Sequence, residues 1–285
     1  MDLTVLGSGG CTLTPRPGCQ CPICREAREK GIPYTRTGPS LFLKDINALF
    51  DTPEEITYQL NRENILRVDH IFYTHWHPDH TMGMRVVEQL NMEYLRFFID
   101  GKLSSQKTRV YAVSKVMEEL KAIRSPKGSY FEFYDRHGLT SLVELKEAVP
   151  FKIEDIAVTS LIVENPHHLS TLFVIQEKDK KAIYAPCDCK PLPKDEILLG
   201  ADLLIIGNVL PEGRLKHGYT LPGDNKLRKE AFSMDELKDL IAELGIKRTI
   251  VTHIEEEYGK SFDEYKRIEG EYNIQFAYDG MRIEV

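Results

Sequence analysis

The sequence predicts an α/β fold, an αββα sandwich in which two β-sheets pack face to face and helices cover both outer surfaces. Strand-like segments come in two runs that divide near residue 155, with helical patterns between them. A hydrophobic share of 42% in 285 residues supplies the core of one large domain, residues 1–285. Metal-type side chains recur directly after strand-like segments, where a rigid sheet can hold them.

The first half begins with an edge strand and a glycine turn. Short apolar or β-branched runs predict strands at residues 2–6, 40–43, 47–50, 71–73, 95–99, 110–113 and 130–134, the second and third forming a hairpin. Helical spacing predicts helices at residues 53–60, from 79 to about 94, and near 114–123. Thr52 is the expected N-cap of the first helix, because Pro53 suits a first helical position.

The second half repeats this alternation. Strands are expected at residues 158–163, 171–176, 182–185, 203–206 and 248–252, of which the second and third form a hairpin. Ser233 is the expected N-cap of a helix that runs through Leu244. Residues 274–285 are expected to form a last hairpin that turns at Asp279-Gly280.

One short segment carries most of the functional information. Residues 74–83 read THWHPDHTMG, which places His75, His77, Asp79 and His80 within six positions directly after a strand. Imidazole and carboxylate hold zinc, manganese or iron in open hydrolytic sites. In so short a loop, the first two imidazoles can face one metal while Asp79 and His80 face a second, about 3.5–4 Å away. The segment therefore predicts a dinuclear metal site, with a merely His-rich surface loop as the alternative.

Two metal shells need more donors than this segment contains. Further donors lie just past the ends of other strand-like segments, and they are His167, His168, Asp188 and His253. Cys187 and Cys189 flank Asp188. We expect these two to be small buried residues, although thiols this near a metal can also bind it or oxidise.

The ordered pattern HxHxDH, then His, Asp and His, resembles the metallo-β-lactamase fold superfamily of hydrolases. The likeness runs from DLTVLGSGG at the start of the chain to YDGMRIE near its end. The resemblance implies two divalent ions, Zn or Mn. One would be held by His75, His77 and either His167 or His168, with His167 favoured by gapless alignment. The other would be held by Asp79, His80 and His253, with Asp188 bridging the two.

A second motif places three thiols together. Cys19, Cys21 and Cys24 lie in a Pro- and Gly-rich loop at about residues 15–27, which predicts a structural zinc site. Three ordinary cysteines or a disulfide are the alternative. The motif resembles the branch that holds the cyclic-phosphate phosphodiesterases of the carbon–phosphorus lyase pathway and the pyrroloquinoline-quinone biosynthesis protein B. In those phosphodiesterases a His three residues after the last active-site His completes the zinc site. Glu256 stands at that position here and is the expected fourth ligand.

This resemblance implies a metal-dependent hydrolase. The function expected first is a phosphodiesterase that acts on a small cyclic or nucleotide-derived phosphodiester through a metal-bridging hydroxide. The general-acid His of those enzymes has no counterpart in residues 226–234, so His217 in a nearby loop, or Asp79, is the expected catalytic proton donor. The alternatives are a tRNA 3′-processing-type ribonuclease and a non-catalytic metal-binding accessory protein of cofactor biosynthesis.

Charge and hydropathy limit the partners. A net charge of −7 without a dense Lys/Arg tract argues against nucleic acid. Two metal ions would make the cleft locally positive and suit a small anionic phosphodiester substrate. No apolar run of transmembrane length and no leader-like start are seen, so we expect no membrane association and a cytoplasmic location. The oligomeric state stays open, a homodimer being the commonest arrangement.

Overall fold

The structure is a computed structural model, which describes residues 1–103, 106–164 and 169–285. The strands of these residues are, in chain order, β1 (Asp2–Gly7), β2 (Ser40–Leu43), β3 (Ala48–Phe50), β4 (His70–Phe72), β5 (Thr108–Val113), β6 (Arg124–Ser125), β7 (Gly128–Ser129), β8 (Thr140–Leu145), β9 (Phe151–Ile153), β10 (Ile156–Glu164), β11 (Leu169–Glu177), β12 (Lys180–Ala185), β13 (Leu203–Ile206), β14 (Val209–Leu210), β15 (Phe232–Ser233), β16 (Thr249–Val251), β17 (Gln275–Phe276) and β18 (Met281–Glu284).

The helices lie between and outside these strands. They are α1 (Pro22–Lys30), α2 (Ile56–Arg62), α3 (Pro78–Thr81), α4 (Val86–Asn91), α5 (Tyr94–Asp100), α6 (Ser114–Ala122), α7 (Tyr130–Arg136), α8 (Leu227–Glu230), α9 (Met234–Leu244) and α10 (Phe262–Tyr272). Short 3₁₀ turns cover Lys44–Ile46, Glu196–Leu198, Lys216–Gly218 and Glu256–Tyr258. None of the helices in the described part of the chain combines the length and apolar character needed to cross a membrane.

Two seven-stranded sheets are built from the described residues. The first has the order β18-β1-β2-β3-β4-β5-β8, and the second has the order β17-β16-β13-β12-β11-β10-β9. Strands β3, β4, β5 and β8 run parallel to one another in the first sheet. Strands β12, β13, β16 and β17 do so in the second sheet. The chain changes sheet between β8 and β9, close to the predicted division near residue 155.

The core lies in two layers. Between the sheets, the ring of Phe50 stacks on that of Phe72 with centroids 5.1 Å apart, and it also meets Phe173 of the second sheet at 5.4 Å. The outer face of the second sheet packs under α9 and α10, where Leu237 and Tyr265 are buried. Helices α2, α6 and α7 contact strands of the first sheet. These layers confirm the predicted αββα sandwich.

Several local predictions are also confirmed. β2 and β3 pair as an antiparallel hairpin, and so do β11 and β12. Helix α9 begins after Ser233 and ends at Leu244, as expected. The hydroxyl of Ser233 accepts a bond from the N–H of Glu236, whose carboxylate accepts one from the N–H of Ser233. This reciprocal pair satisfies backbone groups that a helix start leaves without partners.

Two predicted strands are helices. Residues 95–99 lie in α5 and residues 130–134 lie in α7. Helix α7 is capped by the Ser129 hydroxyl, which accepts the N–H of Glu132. It buries Phe131 and Tyr134, which are three residues apart and therefore lie on the same face of the helix. Short, mostly apolar segments of five residues are ambiguous between strand and helix, which explains both errors.

The expected helix boundaries near residue 52 and between 79 and 94 are wrong. The Thr52 hydroxyl is buried and bonds the Tyr73 hydroxyl at 2.7 Å, so α2 begins at Ile56 without that cap. The segment from 79 to 94 is broken into α3, α4 and the start of α5. A Cβ on Gly83 would lie 2.0 Å from the Pro53 carbonyl oxygen, so the chain passes close to its neighbour at the first break.

The ends of the chain were also assigned wrongly. β1 is not an edge strand, because β18 pairs outside it. Residues 274–285 do not form a hairpin: β17 belongs to the second sheet and β18 to the first. Between them, the buried carboxylate of Asp279 accepts the N–H and hydroxyl of Ser8, both at 2.9 Å. The final segment therefore joins the two sheets.

Candidate metal centre

The ligand-type residues gather at one edge of the sandwich. Asp51 follows β3, His75 follows β4, Asp188 follows β12 and His253 follows β16. These are parallel strands of the two packed sheets, and each residue stands just past a carboxyl end. Loops from both sheets therefore meet at this edge.

The first donor group contains His75, His77, Cys187 and Asp188, whose ligand atoms all lie within 4.8 Å of one another. Oδ2 of Asp188 is 3.8 Å from Nε2 of His75 and 3.5 Å from Nδ1 of His77. Among the described residues, neither His75 Nε2 nor Asp188 Oδ2 has a hydrogen-bond partner, although both atoms are buried. Burial and the neighbouring imidazoles hold the pKa of His75 well below its usual range. Its ring is therefore neutral and offers a lone pair.

The second donor group contains Asp79, His80 and His253. Oδ2 of Asp79 lies 3.4 Å from His80 Nε2 and 3.2 Å from His253 Nε2, and the two Nε2 atoms are 3.3 Å apart. Burial alone would lower the pKa of His253, but its bond with Asp79 and the nearby carboxylates raise it to about 9. Burial would raise the pKa of Asp79, but His253 and the other imidazoles hold it well below its usual range. These two side chains form an ion pair when no metal is present.

Asp51, at the end of β3, fixes how two of the imidazoles face the centre. Its Oδ2 accepts a bond from Nδ1 of His80 at 2.8 Å and from the Thr74 hydroxyl at 2.9 Å. The same hydroxyl is 2.9 Å from Nδ1 of His75 and can accept its proton. A carboxylate can only accept, so both Nδ1 atoms carry hydrogen and both Nε2 lone pairs point away from Asp51.

Two more residues that the sequence reasoning missed hold ligand-type side chains. Oε1 of Glu255 lies 3.4 Å from His253 Nδ1 and also accepts the N–H of Cys11 at 3.0 Å. The amide of Asn208 donates to Oδ1 of Asp188 at 3.2 Å. Gly10 makes the approach of Glu255 feasible, because a Cβ there would lie 2.1 Å from the Glu255 carboxylate. The sequence did contain a signal for Asp51 and Asn208, because each follows a strand, as the predicted metal donors do.

The donor sets fit divalent metals. Buried imidazole and carboxylate atoms converge with few hydrogen bonds among themselves, and buried polar atoms are normally paired. The hydrogen bonds behind them leave the inward-facing lone pairs available. Asp188 lies with the first donor group, and its bridging role stays a prediction. His167 and His168 lie outside the described residues, so the third imidazole of the first metal stays a prediction as well.

The three thiols and Glu256 also come together. Oε1 of Glu256 is 3.6 Å from Cys19 Sγ, 3.3 Å from Cys21 Sγ and 3.0 Å from Cys24 Sγ. All six cysteines of the chain are free in this structure. The predicted loop is shorter than expected, because helix α1 begins at Pro22 and carries Cys24. Cys21 caps that helix by accepting the N–H of Cys24.

Lys216 adds a positive charge to this thiol cluster. Its ammonium is 2.5 and 2.7 Å from the two oxygens of Glu256 and 3.2 Å from Cys19 Sγ. Burial alone would lower the pKa of Lys216, but the bond with Glu256 raises it well above its usual range. Burial would likewise raise the pKa of Glu256, but hydrogen bonds from Cys24 and Lys216 lower it. Glu256 is therefore an ionised carboxylate beside three thiols.

A cavity of about 880 Å³ opens on the two donor groups. Its lining includes His77, Asp79 and Cys187 together with Lys216 and His217. His217 lies in the exposed 3₁₀ turn Lys216–Gly218 with a positive φ of 59°. The structure thus brings the predicted proton donor His217 to the same cavity as Asp79.

The chain belongs to the β-lactamase superfamily, because the family model described as a beta-lactamase superfamily domain matches residues 46–254. With its αββα sandwich and its converging imidazole and carboxylate donors, it is a metal-binding hydrolase of the metallo-β-lactamase fold.

Solved structures share this fold along the whole chain. A new diphosphatase from the PhnP family is 22% identical with a TM-score of 0.72, covering 100% of this chain and 96% of its own. Zn²⁺-bound PqqB from Methylobacterium extorquens is 17% identical with a TM-score of 0.76, covering 100% of both chains. Human tRNase Z, short form, is 19% identical with a TM-score of 0.64, covering 100% of this chain and 99% of its own.

One curated relative matches in part. The octanoyltransferase of Porphyromonas gingivalis (strain ATCC BAA-308 / W83) is 27% identical over 165 residues, which are 56% of this chain. The match spans only 30% of that protein's length.

Proposed function

We propose that this hydrolase is a metal-dependent phosphodiesterase that cleaves a small cyclic or nucleotide-derived phosphodiester in the cavity beside His77 and Asp79. The observation that carries the proposal is the convergence of the two donor groups on one cavity large enough for a nucleotide-sized ligand. Two divalent ions, Zn or Mn, are the proposed cofactors. When bound, such a pair activates water and stabilises the oxygens of an in-line displacement at phosphorus.

The cavity suits an anionic substrate once two metal ions are bound at the donor groups. Its acidic side chains outnumber the basic ones, Arg16 and Lys216. Two divalent ions would add about four positive charges at the donor groups and reverse the local field. A compact phosphodiester anion fits that change better than a long polyanion, since the whole chain is acidic at −7.

The surrounding residues would hold the donors rigid before substrate arrives. Asp51 and Thr74 fix the rings of His75 and His80 from behind. The Glu255 carboxylate lies 3.4 Å from Nδ1 of His253. Such outer partners keep ligand positions within a fraction of an ångström, which positional catalysis requires.

His217 is the proposed proton donor to the leaving alkoxide. It is exposed, lines the same cavity and is not part of either donor group. Asp79 is a poorer donor, because His253 and the other imidazoles hold its pKa well below its usual range. A carboxylate of that kind stays ionised, which suits metal binding. We therefore assign Asp79 to the second metal position and His217 to protonation.

The thiol cluster is proposed to hold one structural zinc through Cys19, Cys21, Cys24 and Glu256. Three sulfur donors and one carboxylate oxygen make a closed four-donor set. Lys216 compensates part of the negative charge that this set carries. Because Lys216 precedes His217, the zinc site would also anchor the turn that bears the proton donor.

The names of two structural neighbours support chemistry at phosphorus. One neighbour is a diphosphatase and another is a tRNase, and both names denote cleavage at phosphate groups. A tRNA-processing activity needs a basic arm, whereas α5 presents exposed apolar side chains, among them Phe98 and Ile99. A non-catalytic accessory role predicts metal binding without turnover, so kinetics distinguish it from the phosphodiesterase.

The test is hydrolysis by protein reconstituted with Zn²⁺ or Mn²⁺. We expect turnover of bis(p-nitrophenyl) phosphate and of 2′,3′- or 1,2-cyclic phosphates. His77→Ala should abolish it, while His137→Ala, a matched change at an exposed His outside the centre, should not. Absence of turnover with either metal, or equal turnover in both variants, would refute the proposal. Salt-sensitive cleavage of pre-tRNA alone would favour the ribonuclease.

The proton donor is tested by varying the leaving group. His217→Ala should slow hydrolysis of a cyclic alkyl phosphate by about 10²-fold or more, because an alkoxide must be protonated. The same variant should change bis(p-nitrophenyl) phosphate turnover little, because p-nitrophenolate leaves without a proton. Equal losses on both substrates would remove His217 from this role.

A further inference from the structure

One thiol lies at the metal centre rather than in the core. Cys187 is the second residue after β12 and is 6% exposed, on the wall of the cavity. Its Sγ lies within 4.8 Å of the ligand atoms of His75, His77 and Asp188. It also lies within 4.8 Å of those of His80 and His253. Within the described residues, Cys187 is the member common to both sets of atoms.

Cys189 shows that this placement is specific. It is two residues further along and fully buried, but its Sγ lies 3.8 Å from the Gly207 carbonyl oxygen and packs in the core outside the second sheet. It belongs to neither set of metal-type donors found in the described chain. The chain turns between them at Asp188, whose φ is 48°, and one thiol lies in the core while the other lies beside the imidazoles.

The buried atoms around Cys187 fit a bound cation. In the described part of the chain, His75 Nε2 and Asp188 Oδ2 are buried without hydrogen-bond partners, and His75 is 1% exposed. A thiol supplies only a weak donor and a weak acceptor, so it cannot satisfy them. A metal ion bound by all three groups would.

We propose that Cys187 is a thiolate ligand of the active-site metal pair and that it makes this centre selective for Zn²⁺ over Mn²⁺. The inference rests on the proposed dinuclear centre. On metal binding, the S–H bond is replaced by a sulfur–metal bond and the proton leaves to solvent. A soft sulfur donor favours zinc, whereas imidazole, carboxylate and water alone also accept manganese.

The experiment uses the full chain, freed of metal and reloaded with Co²⁺. A cobalt–thiolate bond gives a near-ultraviolet charge-transfer band, and Cys19, Cys21 and Cys24 contribute equally to every spectrum compared. We expect Cys187→Ser to lose part of this band relative to the wild-type protein at a matched metal content. Cys189→Ser, the control two residues away, should leave the band unchanged. Elemental analysis counts the metals in each sample.

The second readout is metal preference. In competition experiments, the ratio of Zn²⁺ to Mn²⁺ affinity at the active site should fall at least about tenfold in Cys187→Ser or Cys187→Ala. Loss of a residue that only hydrogen-bonds a ligand already lowers metal affinity by about that factor. A wild-type protein that takes up Mn²⁺ as readily as Zn²⁺ there would overturn the inference without any variant.

The two proposals fail differently. Three metals per chain with the same spectrum in wild-type protein and Cys187→Ser would overturn the thiolate ligand and leave the dinuclear centre standing. A single metal per chain, retained in His77→Ala, would overturn both the centre and the ligand.

Discussion

Asp51→Asn is the sharpest test of how the centre is organised. Asp51 is fully buried, and its carboxylate accepts the Thr74 N–H at 2.8 Å and His80 Nδ1 at 2.8 Å. The φ of Asp51 is 61°, a left-handed value that Asn tolerates well, so the substitution adds no backbone strain. It removes the negative charge while keeping the size of the side chain.

The expected magnitude follows from the partner that is lost. His80 would face a neutral amide instead of a carboxylate, and its ring would be less basic and less firmly oriented. Losing such an outer partner typically lowers metal affinity about 10- to 100-fold. That factor corresponds to about 1.4–2.7 kcal/mol of binding free energy at the second metal position.

The assay is a metal titration against a competing chromophoric chelator, with unfolding measured in parallel. Asp279→Asn is the matched control, because Asp279 is also a buried carboxylate that accepts two bonds from Ser8, but it bonds no imidazole among the residues that the structure describes. The control should cost about 1–3 kcal/mol of unfolding free energy and leave metal affinity unchanged. Unaltered metal affinity in Asp51→Asn, or an equal loss in both variants, would refute the reasoning.

Three further outcomes are expected. Lys216→Met removes the cation that bonds Glu256 and should lower kcat on an alkyl phosphodiester, because it displaces the neighbouring His217. Elemental analysis should show that the active-site metals are retained. An unchanged kcat would contradict this expectation. Burial lowers the pKa of His70 in the folded protein, so the unfolded chain binds a proton more readily. The free energy of unfolding is therefore highest above the unfolded pKa near 6.5 and decreases as pH falls from there through the folded pKa. His70→Phe should therefore reduce the decline in unfolding free energy between about pH 7.5 and about pH 5, by at most ~1.4 kcal/mol per pH unit. The measurement is urea titration of the metal-free protein at several pH values. The same slope in the variant and the wild-type protein would contradict this expectation. Phe98→Ser should change unfolding free energy by less than about 0.5 kcal/mol, because Phe98 is 69% exposed; a larger loss, or a dimer-to-monomer shift in sedimentation, would mean that a second chain covers α5.

Local signals in the sequence were sufficient for part of the fold. The helix after Ser233 has its own cap, and the β11–β12 hairpin has complementary apolar strands separated by a short charged turn. Neither depends on distant residues. The apolar runs at α5 and α7 were misassigned, because a run of that length does not show whether its period is 2 or 3.6 residues.

Pairing between distant strands could not be predicted from local pattern. β17 and β18 are separated by four residues but join different sheets. What decides this is the buried Asp279, which accepts bonds from Ser8 and Thr37 near the start of the chain. Such bonds connect residues more than 240 positions apart and leave no short-range signature.

The sequence by itself determined the chemistry of the centre. Donor-type residues after successive strands predict a metal site, because parallel strand ends meet at one edge of the sandwich. Only the tertiary structure decided how those donors are held. It placed the Asp51 carboxylate behind His80, Lys216 against Glu256, and Cys187 rather than Cys189 beside the imidazoles. Side-chain direction and hydrogen-bond partners depend on packing between segments far apart in the chain, and residue order alone does not specify them.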